Sequence, residues 1–196
     1  MGFQQQLAEA IAVLEACTTL APAIDQITAC TTEALLAGHT LYTAGNGGSA
    51  ADAMHLAEEL VGRYRYNRRP LPAICLNADV GALTCIANDF GYEEIFARQL
   101  AALGKPGDVL IVFSTSGQSP NIINALSTAR ARGMINIALL GKDGGMARNL
   151  ADHALIVPSN NTARIQEVHT LILHAICEQV EQRLASSLEP HVEREV

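Results

Sequence analysis

A chain of 196 residues, 49% of them hydrophobic, is long and apolar enough to bury a full core as one domain, or as a core with an added arm. Its formal charge of −7 excludes broad electrostatic binding of nucleic acid. Charged residues make up 17%, against roughly 25% in an average soluble chain, which points to extensive helix packing and to contacts between subunits.

No N-terminal run has the basic-then-apolar pattern of a signal peptide, and no apolar stretch is expected to reach the ~18 residues of a membrane span, so the cytoplasm is the expected compartment. Cys17, Cys30, Cys75, Cys85 and Cys177 are odd in number, scattered and without a C-x-x-C pair, and they read as reduced core residues.

From about Phe3 to Cys17, Leu7, Ile11 and Leu14 recur at helical spacing. A second such pattern runs from about Pro22 to Leu36 and ends at Gly38. These two helices form an arm over residues 1–37, more than a five-strand α/β sheet needs for cover, and at least one is expected to pack against another subunit.

Leu41 to Ala44 read as a buried strand, followed by the glycine turn Gly45-Asn46-Gly47-Gly48, with Ser49 as the expected cap of the next helix. Next come a short apolar run, Leu71 to Leu76, and helical segments over Val80–Ala87 and Glu93–Leu103. Asp108 to Ser114 has the continuous apolar content of a strand buried on both faces and enters a second polar turn, Ser114 to Ser119. A helix from Pro120 to Arg132, a strand Asn136–Leu140, a short helix Ala147–Leu150, a strand His153–Val157, a long helix Thr162–Leu184 and a polar tail over 186–196 complete the chain.

This alternation predicts a three-layer, doubly wound α/β fold around a five-stranded parallel sheet, with additional N-terminal helices. Both polar turns then fall at carboxyl ends of strands, where ligands of such sheets gather. The hydroxyls of Ser114, Thr115, Ser116 and Ser119, with backbone donors near Gly117, can surround phosphate oxygens without a lysine. The glycine turn is neither a Walker loop nor a dinucleotide fingerprint, and it suits close approach of a sugar.

His55 and Glu59 are four residues apart on one helix face, a spacing that serves a metal pair, an acid/base pair or a surface ion pair. Gln166, Glu167, His169 and His174 interrupt the apolar pattern of the last helix. From Gln166 to His174 that helix advances two turns plus roughly 80°, so the two side chains share broadly one side. His169 reads as a core histidine or one that supports a ligand. Arg63, Arg65, Arg68 and Arg69 form a local basic cluster, read either as a solvated loop or as a phosphate contact.

The motifs GNGGSAADA with HLAEELVGRY, LPAICLN, IANDFGYE, GDVLIVFSTSGQSPN, LLGKDGG and ARIQEVHTLILH resemble the phosphoheptose isomerases of the sugar isomerase (SIS) fold, a flavodoxin-like arrangement, from about Gly38 to Glu181. The resemblance implies a single SIS domain over 1–196 and a cytoplasmic homotetramer. It also implies isomerisation of sedoheptulose 7-phosphate to D-glycero-D-manno-heptose 7-phosphate, the first step toward ADP-heptose for lipopolysaccharide or other glycans.

By the same resemblance, His55, Glu59, Gln166 and His174 bind zinc, one per subunit, and Glu59 and His174 are the acid/base pair. Asn46, Gly47, Gly48, Glu59, Arg63, Asn88, Asp89, Ser114, Thr115, Ser116, Ser119 and Gln166 contact the substrate. Ala163 stands where some relatives carry an acidic residue, so any auxiliary role of that residue is missing here. Two other readings of the fold are a non-catalytic binding protein of the replication-initiator-associating type, and a sensor or isomerase of another sugar phosphate. A pure scaffold has no physical need for both Glu59 and His174.

Overall fold

A computed structural model describes residues 2–187. Five strands, β1 (Leu41–Gly45), β2 (Ala73–Cys75), β3 (Val109–Ser114), β4 (Ile135–Gly141) and β5 (His153–Val157), pair in parallel in the order β2-β1-β3-β4-β5. The helices are α1 (Phe3–Ala16), α2 (Ala21–Leu36), α3 (Gly48–Val61), α4 (Val80–Phe90), α5 (Ala97–Leu103), α6 (Pro120–Ala131) and α7 (Thr162–Ser187).

Every residue of β1 and β3 is buried, as expected of central parallel strands covered on both faces. Alternation along β3 sends Ile111 and Phe113 into one core with Leu56 and Leu60 of α3 and Leu173 and Ile176 of α7. Leu110 and Val112 enter the opposite core with Leu100 of α5 and Ile122 and Leu126 of α6. The three-layer expectation is met.

After β1 the chain steps outward to β2, then returns to place β3 on the other side of β1. The carboxyl ends of β1 and β3 therefore flank the point where the winding reverses, and Gly45 lies beside Phe113 in register.

Several local expectations need correction. The run Leu71–Leu76 forms a strand only over Ala73–Cys75, because β2 is an edge strand with a single neighbour. Ser49 does not cap α3: the cap is Gly47, at φ +56, and Ser49 is buried inside the first turn. The chain needs left-handed backbone at that point, which only glycine adopts freely. Of the cysteines only Cys177 is buried; Cys17, Cys30 and Cys75 are half-buried, Cys85 is exposed, and all five are free. The last helix extends to Ser187, and the tail expected over 186–196 lies, from residue 188 on, outside the described residues.

Phe3–Leu36 forms one helical stretch of 34 residues whose most apolar 18-residue window has a mean hydropathy of 1.5, long and apolar enough to cross a membrane, contrary to the sequence expectation. Its two halves differ in packing. In α2, Ile27, Thr28, Thr31, Thr32, Ala34 and Leu35 are buried, whereas α1 buries nothing and exposes Phe3, Leu7, Ile11 and Leu14. Polar contacts nonetheless dock α1 on the start of α7: Asn161 Nδ2 donates to both Glu9 oxygens at 3.1 Å, and the buried Arg164 pairs with Glu9 at 3.8 Å. Beside them an apolar groove is lined by Leu14, Cys17, Leu20, Ile24, Leu171 and Ile172, among others.

Candidate active site

The two polar turns meet. A cleft of about 240 Å³ is lined by Asn46, Gly47, Gly48 and Ser49 on one side and Phe113, Ser114, Thr115, Ser116 and Ser119 on the other, with Thr162 and Gln166 of α7 closing it. A Cβ at Gly48 would sit 2.6 Å from Gln166 Nε2, so a larger residue there would displace the Gln166 side chain from its present place against the first turn.

The serine turn holds its own shape. Ser114 Oγ accepts from the Gly117 amide at 3.0 Å, and Ser116 Oγ accepts from the Gln118 amide at 3.3 Å. Ser119 precedes α6 without making a side-chain capping bond. Hydroxyls and the amides of a helix start thus border one concave surface, an arrangement suited to an anion.

Across the seam between α3 and α7, His55 Nε2 stands 3.3 Å from Glu59 Oε1 and 3.4 Å from His174 Nε2. Ligand atoms from all three residues lie within 4.8 Å of one another. Ligands at about 2.0–2.1 Å from a tetrahedral metal ion stand about 3.3–3.4 Å apart, so the two distances from His55 suit a shared metal ion. Gln166 is two turns earlier on α7 and lines the cleft.

Tyr64 stacks on His174 at 5.6 Å between centroids, with the ring planes at 23°. Thr170 Oγ1 donates to Asp52 Oδ1 at 2.9 Å and bridges the same two helices one turn from His174. Burial pushes the Asp52 carboxyl up, partly offset by that bond and by the neighbouring His55.

Glu181 anchors the far end of the seam. Its oxygens accept from the amides of Tyr64, Arg65 and Tyr66 at 2.9, 2.9 and 3.1 Å and from Arg68 Nε at 2.8 Å. Burial pushes this carboxyl up, but the four donors outweigh it and hold it below the usual range. Arg68 also donates to the carbonyls of Leu60 and Glu59. Arg68 is therefore a buried structural cation, and Arg65 pairs with Glu178 at 3.1 Å. Of the basic cluster these two face acidic partners rather than a phosphate.

Among the other expected substrate residues, Arg63 is exposed and does not line the cleft. Asn88 and Asp89 lie on α4, which buries no residue, and Asn88 Nδ2 donates to Asp89 Oδ1 at 2.8 Å. Glu59 stands with the histidines. His169 is fully buried, its Nε2 donating to the Leu140 carbonyl at 3.1 Å and its ring edge-on to Phe113. Burial, only partly countered by that bond, lowers its pKa to about 4.

Sequence reading missed Tyr64, Tyr92, Asn121 and Glu181. Tyr64, Tyr92 and Asn121 stand inside the quoted motifs and Glu181 one turn or more beyond the last of them, but nothing local marks them, since their partners are remote in sequence.

A family model described as SIS domain matches residues 5–141. The chain is 59% identical over 149 residues to a phosphoheptose isomerase of Paramagnetospirillum magneticum, covering 76% of this chain and 78% of the relative. It is 52% identical over 165 residues to one of Citrifermentans bemidjiense, covering 84% and 86%. Among solved structures, a phosphoheptose isomerase from Francisella tularensis superposes with a TM-score of 0.89 at 39% identity, covering 91% of this chain and 96% of that one. One from Neisseria gonorrhoeae gives 0.87 at 39% identity with the same coverage.

Proposed function

The chain belongs to the SIS domain family and, within it, to the phosphoheptose isomerases, and from this premise we propose that its cleft interconverts sedoheptulose 7-phosphate and D-glycero-D-manno-heptose 7-phosphate through an enediolate. The observations that carry the site assignment are the meeting of the serine and glycine turns at the carboxyl ends of β1 and β3 and the His55–Glu59–His174 cluster on α3 and α7, the two helices whose first turns border that cleft.

Moving a carbonyl between adjacent carbons requires a proton to leave one carbon and return to the next, while negative charge collects on oxygen. Glu59 takes the proton from the carbon beside the carbonyl. His174, held by the Tyr64 ring and by contact with His55, relays a proton between the sugar oxygens. Ser114, Thr115, Ser116 and Ser119 hold the phosphate. Asn46, Gly47 and Gly48 receive the sugar, and Arg63, Asn88 and Asp89 approach it from outside the cleft as lined in one subunit.

Zinc, held by His55, Glu59 and His174 with Gln166 as a fourth ligand, would supply Lewis-acid polarisation of the carbonyl. Support for a metal is the ligand spacing and the donor set, two imidazoles and a carboxylate.

A homotetramer belongs to the same proposal, supported by the unburied apolar side of α1 and its adjoining groove. So do a single domain over 1–196 with residues 1–37 as its arm, a cytoplasmic setting, and a place before ADP-heptose formation, which rest on the substrate class.

Purified protein incubated with sedoheptulose 7-phosphate should form the aldose, and turnover should fall at least tenfold with chelator and return with zinc. Glu59→Gln should lose at least 10³-fold in kcat with the fold intact, a general base contributing about 10²–10⁴-fold. No turnover in any condition would leave a binding protein, and near-normal turnover by Glu59→Gln would remove the base assignment.

A further inference from the structure

Asn121 is the second residue of α6 and is only 1% exposed, so it cannot be a substrate contact. Its amide is nevertheless paired in both directions with that of Asn46 in the glycine turn. Asn121 Nδ2 donates to Asn46 Oδ1 at 2.8 Å, and Asn46 Nδ2 donates back to Asn121 Oδ1 at 2.9 Å. Tyr92 Oη adds a third bond, donating to Asn46 Oδ1 at 3.0 Å.

An amide side chain offers two donors and two acceptor sites, so three of the four places on Asn46 are taken within the protein. The partners come from two other segments. Asn121 follows directly on the serine turn, and Tyr92 follows directly on α4, which carries Asn88 and Asp89. One node of three side chains therefore joins the glycine turn, the serine turn and α4. The serine turn itself is closed by bonds that do not involve Asn121.

Resting on the isomerase reading, we infer that Asn121 is a positioning residue that sets the sugar-binding turn against the phosphate-binding turn, so that the carbonyl end of the substrate meets the acid/base pair while its phosphate is anchored. Phosphate affinity is independent of it. The alignment of the reacting carbons is not, and a displacement of about 1 Å at a reacting centre costs about 10²-fold in rate.

Asn121→Ala should lower kcat by about 10–100-fold while KM and the inhibition constant of inorganic phosphate stay within about threefold. Asn121→Asp keeps the shape but cannot return the bond to Asn46 Oδ1, and it should behave in the same way. Tyr92→Phe should lower kcat by a smaller factor, about threefold or more. In a double-mutant cycle Asn46→Ala plus Asn121→Ala should be no more than about threefold worse than the poorer single variant, since both break one node.

Turnover by the unaltered chain checks the isomerase reading separately: its absence overturns both ideas. Turnover by the unaltered chain with kcat of Asn121→Asp within twofold of normal overturns this inference alone. So do additive effects in the cycle, or losses in the variants that vanish once activity is corrected for the folded fraction. If Asn121→Ala does not fold, Asn121→Asp and Tyr92→Phe decide the matter.

Discussion

His169 and His174 are five residues apart on α7 and have opposite fates, because one faces the sheet and the other faces α3. The buried His169 can form only one bond, through Nε2–H, and its Nδ1 has no partner. Charging it would place a cation against Phe113 with nothing to balance it.

The pKa of His169 is about 4 in the folded chain against an ordinary 6.5, so between those values the unfolded chain binds more protons and stability falls as the pH drops. The loss reaches about 2 kcal/mol by pH 5. Urea midpoints at pH 7 and pH 5 should show it, and His169→Gln should flatten the difference while lowering stability at pH 7. An equal pH dependence in that variant would place the effect elsewhere.

The pairing of His55 with Glu59 was legible from spacing alone, because two side chains four apart on a helix must be neighbours. That of Arg68 was not, since its partner Glu181 is 113 residues away and nothing local distinguishes a solvated arginine from a buried one.

At the level of elements, the seam between α3 and α7 is fastened on both sides of the His55–Glu59–His174 cluster, by Thr170 with Asp52 and by Glu181 with the loop after α3. Removing Glu181 would leave the Arg68 Nε and the amides of Tyr64, Arg65 and Tyr66 without their carboxylate acceptor, and breaking one partner of a buried pair costs about 3–5 kcal/mol. Glu181→Leu should therefore lower the melting temperature by about 10 °C, at about 2–4 °C per kcal/mol for a chain of this size. Because the loop it holds carries Tyr64, the variant should also weaken zinc binding, measured by competition with a chromogenic chelator. Unchanged stability would mean that the loop does not depend on this carboxylate.

Elements were readable where burial is two-sided. The continuous apolar run of β3 and the span of β5 were found nearly to the residue, and the edge strand β2, half exposed, was read as twice its length. The start of α3 was misread because a serine after glycines looks like a cap until the backbone dihedral at Gly47 is known.

For the molecule as a whole, α1 displays Phe3, Leu7, Ile11 and Leu14 to solvent in one copy of the chain. Isolated exposed apolar residues are ordinary, but a row of them on one helix beside an apolar groove marks an association surface. Deleting residues 1–20 should reduce the sedimentation coefficient to that of a smaller assembly while the far-ultraviolet dichroism of the sheet and remaining helices persists. A truncated chain in the same oligomeric state as the full chain would place the contacts on other elements. The fold class was open to sequence reading because strand–helix alternation leaves few right-handed solutions. Which of the two N-terminal helices covers the chain's own core was not, since an apolar helix looks the same whether it covers its own core or another copy's.

The winding order also governs when the protein can begin to work. His174 follows His55 by 119 residues, and the helix that brings it leaves the ribosome after all five strands. Synthesis runs from the N-terminus, so the sheet can gather before that helix exists. Every nascent intermediate then holds His55 and Glu59 without their third partner. The cluster is completed in one late step, the docking of α7, and a chain cut short before it would hold all five strands without His174.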